Sequence, residues 1–282
     1  MIKANFVTAD EAAASIEDGS TVATIGMTLV SASESNLKAI ERRFLETGHP
    51  RGITLLHSCG QSDRERGIQH FAHEGLVKRI IGSHWGLQPR WMDMIASNQV
   101  EAYCLPQGQI AQLYRSMACG LPGKMSKVGL GTFIDPRIEG GKMNDRTREL
   151  EDITEIIEID GEEYMFYRAV PIDTVLIRGT ACDEMGNLNG THGPSACGYL
   201  SYAYADAEFA DTVVAVTDNL VPYPLADFSI SETYVDYVVQ VESIGNPAGI
   251  VSGTTKITRD PVGLVMAQYA AKVIEHSGLL KD

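Results

Sequence analysis

Short apolar runs alternate with helix-patterned segments through the first half of the chain, and this alternation restricts the fold more than any other feature. Thr8-Ala9-Asp10-Glu11 has the form of a capping box and predicts a helix with Ala13, Ala14 and Ile16 on its apolar side. Asp18-Gly19 turns the chain into the run Thr21-Val22-Ala23-Thr24-Ile25, which stops at Gly26. A Ser-rich stretch over residues 31–35 precedes a second helix, with Leu37, Ile40, Phe44 and Leu45 at helical spacing, and Ile53-Thr54-Leu55-Leu56 reads as the next strand. Strand, helix, strand and helix follow at residues 77–81, 89–95, 100–105 and 109–117. Successive parallel strands need a crossover between them, usually helical. The order therefore predicts an α/β fold built on a mainly parallel open sheet with helices on both faces.

The middle of the chain breaks the pattern. Residues 129–144 are rich in glycine and interrupted by Pro136, and a charged stretch follows over residues 145–152. Two alternating runs, Thr154-Glu155-Ile156-Ile157-Glu158-Ile159 and Glu163-Tyr164-Met165-Phe166-Tyr167, flank Asp160-Gly161. Asp-Gly between such runs predicts a hairpin, so an antiparallel ribbon around residues 150–170 is expected as an insertion in a single domain spanning residues 1–282. Residues 174–178 and 211–217 return to buried, parallel-type strands. Asp260-Pro261 pairs an N-cap with proline at the first helical position; the helix should pass Val265, Tyr269, Ala270 and Val273 and stop by Gly278.

Charge narrows the choice of ligand. The net charge of −14 argues against a nucleic-acid partner, because phosphate affinity rests on clustered Lys and Arg. A smaller anion is still open to backbone N–H groups or to a local cation. No apolar run approaches the roughly 18 residues of a membrane span. Met1-Ile2-Lys3-Ala4-Asn5 carries no apolar segment ending in a cleavage site, so no signal peptide and a cytoplasmic location are expected. Cys59, Cys104, Cys119, Cys182 and Cys197 are odd in number and form no C-x-x-C pair, as expected of reduced thiols.

Three glycine turns follow predicted strands: Ile25-Gly26-Met27-Thr28, Pro106-Gln107-Gly108-Gln109 and Gly129-Leu130-Gly131-Thr132. Ligands of open parallel sheets sit outside the carboxyl ends of the strands. There glycine lets backbone N–H groups approach an anion, and a following helix N-terminus favours negative charge. Converging on one edge, the three turns would suit a carboxylate, a thioester oxygen or a phosphate, although glycines also end strands with no ligand nearby. Gln107 offers a side-chain donor to a carboxylate oxygen, or else simply starts a helix in solvent. Lys142, after Gly140-Gly141, is either a phosphate partner or a solvated loop residue. His70 and His73 have helical i, i+3 spacing with His57 upstream, but no third ligand is evident and no metal site is expected. The sequence has no GxxxxGK[ST], GxGxxG or GxSxG motif.

Several segments in order resemble the N-terminal half of family I coenzyme A transferases, the acetate and propionate type in particular. They are His73-Glu74-Gly75-Leu76-Val77-Lys78-Arg79, Pro106-Gln107-Gly108 and the run from Gly129-Leu130-Gly131-Thr132 through Phe133-Ile134-Asp135-Pro136-Arg137. Gly140-Gly141-Lys142 with Asn144, then Leu176-Ile177-Arg178-Gly179-Thr180 with Asp183 and Gly186-Asn187, complete the set. The tail, from Ser243-Ile244-Gly245-Asn246-Pro247 to Asp260-Pro261, resembles the citrate lyase α chain. The first turn departs from the family in lacking the doubled glycine and aromatic residue, which leaves the acid substrate open.

The resemblance implies an α subunit that binds acyl-CoA and a small carboxylate through Gly26, Met27, Gln107, Gly108, Gly129, Gly131, Thr132 and Lys142. Gln107 matches a family glutamine facing the substrate carboxylate. Coenzyme A thioester is then a substrate and no cofactor is implied. In this family a glutamate attacks the acyl-CoA and carries CoA as a glutamyl thioester with ping-pong kinetics. That glutamate belongs to the second half of the family, so the resemblance implies a β-subunit partner, a hetero-oligomer, and no catalytic nucleophile in this chain. Glu74 and Glu242-Ser243-Ile244-Gly245 are poor substitutes, one in a helix-to-strand motif and the other in a linker-like segment. A CoA-dependent lyase or hydrolase component, as the tail allows, and a non-catalytic ligand-sensing module are the alternatives.

Overall fold

Walking along the computed structural model, β1 (Asn5–Val7) and α1 (Ala9–Ala14) lead to β2 (Thr21–Thr24) and α2 (Glu34–Thr47). Then come β3 (Ile53–His57), a 3₁₀ turn (Gly67–Phe71), β4 (Val77–Gly82), α3 (Pro89–Ala96), β5 (Glu101–Cys104) and α4 (Gln107–Ala118). The central part holds β6 (Gly123–Ser126), the one-turn α5 (Asp145–Arg148), β7 (Thr154–Ile159) and β8 (Glu162–Arg168). Strands β9 (Thr174–Arg178), β10 (Ala181–Asp183), β11 (Leu188–Asn189), β12 (Thr212–Thr217), β13 (Leu220–Val221) and β14 (Tyr237–Gln240) follow. The structure describes residues 5–30, 32–190, 212–243 and 258–278.

Eight strands make one sheet in the order β1-β14-β12-β9-β2-β3-β4-β5, and its pairings are parallel. This is the α/β architecture the alternation predicts. Both faces of the sheet are covered, which explains why β9 and β12 are buried at every residue and read as unbroken runs. Alternate residues serve two cores. Val22, Leu55, Ile80, Ala102, Leu176 and Val214 face α1, α2 and α3, while Ala23, Leu56, Ile81, Tyr103, Val175 and Val213 face α4 and the central insertion. Within the first core the Trp91 indole of α3 donates to Ile68 O at 2.9 Å, tying that helix to the 3₁₀ turn.

The inserted ribbon forms as expected: Ile159 pairs with Glu162 across Asp160-Gly161. Both turn residues have positive φ, 54° and 78°, the conformation a two-residue hairpin of this hand requires. It is larger than the sequence suggests, because β6 pairs with β8 to make a three-stranded antiparallel sheet. A second small sheet, β11-β10-β13, had no sequence signal. Helix α4 starts at Gln107, two residues before the expected start, so Gln107 and Gly108 lie in its first turn.

The chain divides into two units, 1–250 and 251–282, where the sequence suggests one domain. The described part of the second unit is the helix Pro261–Ser277, whose N-cap Asp260 accepts from Gly263 N at 2.7 Å and whose C-cap Gly278 is left-handed at φ 75°. These are the caps the sequence predicts. Most of the tail segment that resembles citrate lyase, and Cys197, lie outside the described residues; Cys59, Cys104, Cys119 and Cys182 remain thiols. No helix among the described residues is long and apolar enough to cross a membrane.

Candidate functional site

From β2 the sheet grows outwards through β3, β4 and β5 on one side, and through β9, β12 and β14 on the other. The boundary between β2 and β9 is thus the topological switch point, the place in the strand order outside which open parallel sheets generally bind their ligands. The candidate site is built from what stands on that edge.

The first glycine turn is there. Gly26, buried at φ 131°, follows β2 and leads into a tight turn in which Met27 N and Val30 O, and Val30 N and Met27 O, are each 3.0 Å apart. Thr28, itself left-handed at φ 56°, donates its N–H to Gly60 O at 2.8 Å. The Met27 and Thr28 N–H groups therefore hold the turn's own shape, while the Met27 side chain is exposed.

That turn is braced from the next strand. Thr24 Oγ1 donates to Gln61 Oε1 at 2.6 Å, and Gln61 Nε2 returns a bond to Thr24 O at 2.8 Å. His57, at the end of β3, contacts Cys59 O through Nδ1 at 2.7 Å, and its ring lies edge-on to Trp85. A carbonyl only accepts, so Nδ1 carries the proton and Nε2 is the bare nitrogen. Complete burial pushes the His57 pKa down to about 4; the bond to Cys59 opposes the shift and the neighbouring His84 adds to it. His57 is neutral near pH 7 and shapes the loop of residues 57–61.

The second turn stands on the same edge, three strands away and so about 14 Å from β2 at ordinary strand spacing. Leu105 N donates to Gly82 O at 2.8 Å, and Pro106 is the N-cap of α4. No side chain caps this helix, so the N–H groups of Gln107 and Gly108 are available at its positive end. Gln107 is exposed, and a Cβ placed on Gly108 would meet nothing within 4 Å. Space rather than backbone conformation characterises this glycine.

The third turn is not on the sheet edge. Gly129, Gly131 and Thr132 follow β6 within the insertion, and a Cβ on Gly129 would meet Tyr167 Oη at 2.6 Å. Their polar groups serve the loop: Gly131 N donates to Asp135 Oδ2 at 3.0 Å, and both Thr132 N and Oγ1 bond Gly129 O. Asp135 also accepts from Arg137 N, Nε and Nη2, and the Arg137 guanidinium holds its carboxyl far below the usual range, against a smaller opposing effect of burial. Lys142 Nζ donates to Leu150 O at 2.6 Å and pairs with Asp152 at 2.9 Å, closing the same loop. The polypeptide at Gly141 does reach the edge, where Cys104 N donates to Gly141 O at 2.8 Å. The motif that carries the resemblance is thus a self-bonded loop docked along β5, and two of the three turns share one edge.

His70 and His73 do not face a common ligand position. His70 Nε2 meets Glu34 Oε1 at 2.9 Å and its Nδ1 contacts Glu41 Oε2, while His73 Nε2 meets Glu41 Oε1 at 2.7 Å. The pair fastens the 3₁₀ turn to α2, and no metal-holding group of three His, Cys, Asp or Glu occurs among the described residues.

The two weighed glutamates separate clearly. Glu74 is exposed just before β4 and so lies at the amino edge, whereas Glu242 is exposed just past β14, at the carboxyl edge. Arg178 is the last residue of β9, and a cation ending a strand otherwise made of Thr174, Val175, Leu176 and Ile177 is the sequence signal that sets it apart.

Comparison with known proteins agrees with this architecture. Residues 164–282 match the family described as citrate lyase, alpha subunit (CitF). Caffeate CoA-transferase of Acetobacterium woodii is 41% identical over 244 residues, covering 84% of this chain and 45% of that protein. The alpha subunit of the acetoacetyl-CoA:acetate/butyrate CoA transferase of Clostridium acetobutylicum is 31% identical over 157 residues, covering 55% and 62%. The crystal structure of the acyl-CoA transferase YdiF of Escherichia coli O157:H7, in a thioester complex with CoA, superposes with a TM-score of 0.83 at 31% identity, covering 91% of this chain and 53% of that one. The chain therefore spans about half the length of the longer relatives it matches.

Proposed function

We propose, from the premise that this chain is a relative of the coenzyme A transferases with a citrate-lyase-α-like C-terminal region, that it is the α part of an enzyme moving CoA between short-chain carboxylic acids. The observation that carries the reading is the match to the YdiF acyl-CoA transferase fold across 91% of the chain at 31% identity. The acceptor and donor acids are small carboxylates, coenzyme A thioester is substrate, and the nucleophilic glutamate sits on a β-type partner in the cytoplasm.

The chemistry follows from balance of bonds. The partner's carboxylate adds to the acyl-CoA carbonyl and the thiolate leaves, giving an acyl–glutamyl anhydride. The thiolate then attacks the glutamyl carbonyl, forming the glutamyl thioester and releasing the first acid as its carboxylate. The second acid repeats the two steps in reverse. Each tetrahedral intermediate bears an oxyanion, and fixed donors lower its energy more than water does in a closed site. In this chain the open N–H groups of Gln107 and Gly108, the Gln107 amide and the positive end of α4 are the donors proposed for that role.

The test is transfer from propionyl-CoA to acetate by the full chain, alone and with a co-expressed β-type partner, followed by borohydride trapping. The reading expects no transfer alone and label on the partner only. Transfer by the chain alone, abolished by Glu242→Gln, would overturn it. The match to the citrate lyase alpha family over residues 164–282 favours one second reading, a CoA-dependent lyase or hydrolase component. Release of free CoA without any acceptor acid would select it.

A further inference from the structure

We propose that Arg178 and Asn36 form an anion subsite at the switch point between β2 and β9, taking a carboxylate or phosphate oxygen of the bound substrate. The proposal rests on the transferase reading and names the group that its site would recognise.

The placement comes from strand register. Thr24 of β2 pairs with Leu176 of β9, so on continuing that register Gly26 stands opposite Arg178. Alternation puts Arg178 on the same face as Leu176, which packs in one core with Leu37 and Ile40 of α2. Arg178 thus leaves the sheet one step beyond that core, beneath the start of α2. Ser33, the N-cap of α2, makes no capping bond; its Oγ donates instead to Ile177 O at 2.9 Å and fastens the helix start beside Arg178. Asn36, three residues on, shares the Ser33 side of the helix.

Both side chains are enclosed and underused. Asn36 is 2% exposed, and neither its amide nitrogen nor its oxygen has a hydrogen-bond partner among the described residues. Arg178 is 6% exposed and its Nη1 is likewise without one. The carboxylate whose charge reaches Arg178 is Asp218, exposed after β12. Burial draws the guanidinium pKa below its ordinary value, yet an arginine stays charged at any working pH. Glu34, in the first turn of α2, is turned away, engaged by His70, Lys38 and Gly67 N.

A guanidinium can only donate hydrogen bonds, and an enclosed Nη1 without an acceptor is costly to hold. The group that relieves it must supply several acceptor oxygens and a negative charge, which a carboxylate or a phosphate does in the bidentate geometry arginine favours. The Asn36 amide adds a donor, and the helix start adds a favourable field. The carboxylate could belong to the transferred acid and the phosphate to coenzyme A, so the two sources need separate titrations.

Isothermal titration of the full chain with propionate, inorganic phosphate and coenzyme A tests this, in the wild type and in Arg178→Gln, Arg178→Lys and Asn36→Ala variants whose melting shows them folded. Arg178→Gln should weaken the recognised anion roughly ten- to a hundredfold, as loss of charged hydrogen bonds does, with Arg178→Lys and Asn36→Ala falling between. Weakening for propionate alone assigns the transferred acid; weakening for phosphate and coenzyme A alone assigns a phosphate of coenzyme A. Folded variants that bind all three as the wild type does would overturn the subsite and leave the transferase reading intact. Wild-type binding of phosphate, lost in Arg178→Gln, with no binding of coenzyme A or propionate would support the subsite and count against the transferase reading. A wild type that binds none of the three overturns the subsite.

Discussion

Replacing Gly82 by alanine should destabilise the protein entirely through one buried ring. Gly82 does not have the positive φ that reserves a position for glycine, so alanine suits its backbone and would gain about 0.4–1 kcal/mol from the unfolded state if there were room. There is none. A Cβ at Gly82 would lie 2.3 Å from His57 Nε2 and 2.4 Å from its Cε1, where carbon contacts normally settle near 3.5–4.0 Å. The ring would have to move more than about 1 Å. It is fully buried, bonded to Cys59 O at 2.7 Å and packed edge-on against Trp85, so the shift is not cheap. Overpacking of this kind costs about 1–3 kcal/mol, and after the backbone gain the net loss should be about 1 kcal/mol.

The companion variant makes the reasoning refutable. His57→Ala removes the obstacle but leaves a cavity and the Cys59 carbonyl without its donor, at about 2–4 kcal/mol. If the clash is the cause, Gly82→Ala shows only its backbone gain of about 0.4–1 kcal/mol once the ring is gone. The double variant should then be about 0.4–1 kcal/mol more stable than His57→Ala, a coupling of about 2 kcal/mol between adjacent sites. Urea unfolding at constant m-value, followed by circular dichroism, measures all three. A Gly82→Ala protein within about 0.5 kcal/mol of wild type, or strictly additive costs in the double variant, would refute the argument.

His57 should remain neutral in the folded protein down to about pH 4. The unfolded chain takes up that proton first, so stability should fall as pH drops from about 6.5 towards 4, and His57→Asn should flatten that slope in urea titrations. His70 should act oppositely: burial lowers its pKa, but the bonds and charges of Glu34 and then Glu41 prevail and raise it. Its contribution is then full below about pH 6.5 and is lost as pH rises through the raised folded value; Glu41→Gln should bring the loss to lower pH, read by the His70 imidazole shift in NMR. Asp135→Asn removes the acceptor that gathers Gly131 and Arg137, and should cost about 1–3 kcal/mol while exposing residues 129–142 to limited proteolysis.

What the sequence settled by itself was local and periodic. The alternation of strands and helices, the unbroken apolar runs at β9 and β12, the Asp160-Gly161 turn and the Asp260 and Gly278 caps each depend on a few neighbouring residues, and each appears where the pattern puts it. The glycine turns at Gly26 and Gly108 were visible for the same reason, because a carboxyl strand end followed by a helix has a linear signature. Strand order has none. Only the tertiary structure places β9 beside β2 and so makes a switch point of Gly26 and Arg178, residues more than a hundred positions apart. The same holds for Lys142, which the sequence leaves open between a phosphate partner and a solvated residue until Asp152 and Leu150 O are found against it, and for His70 and His73, whose partners Glu34 and Glu41 arrive from α2. A charge's role is set by what comes to face it, and in a parallel sheet those partners come from distant segments.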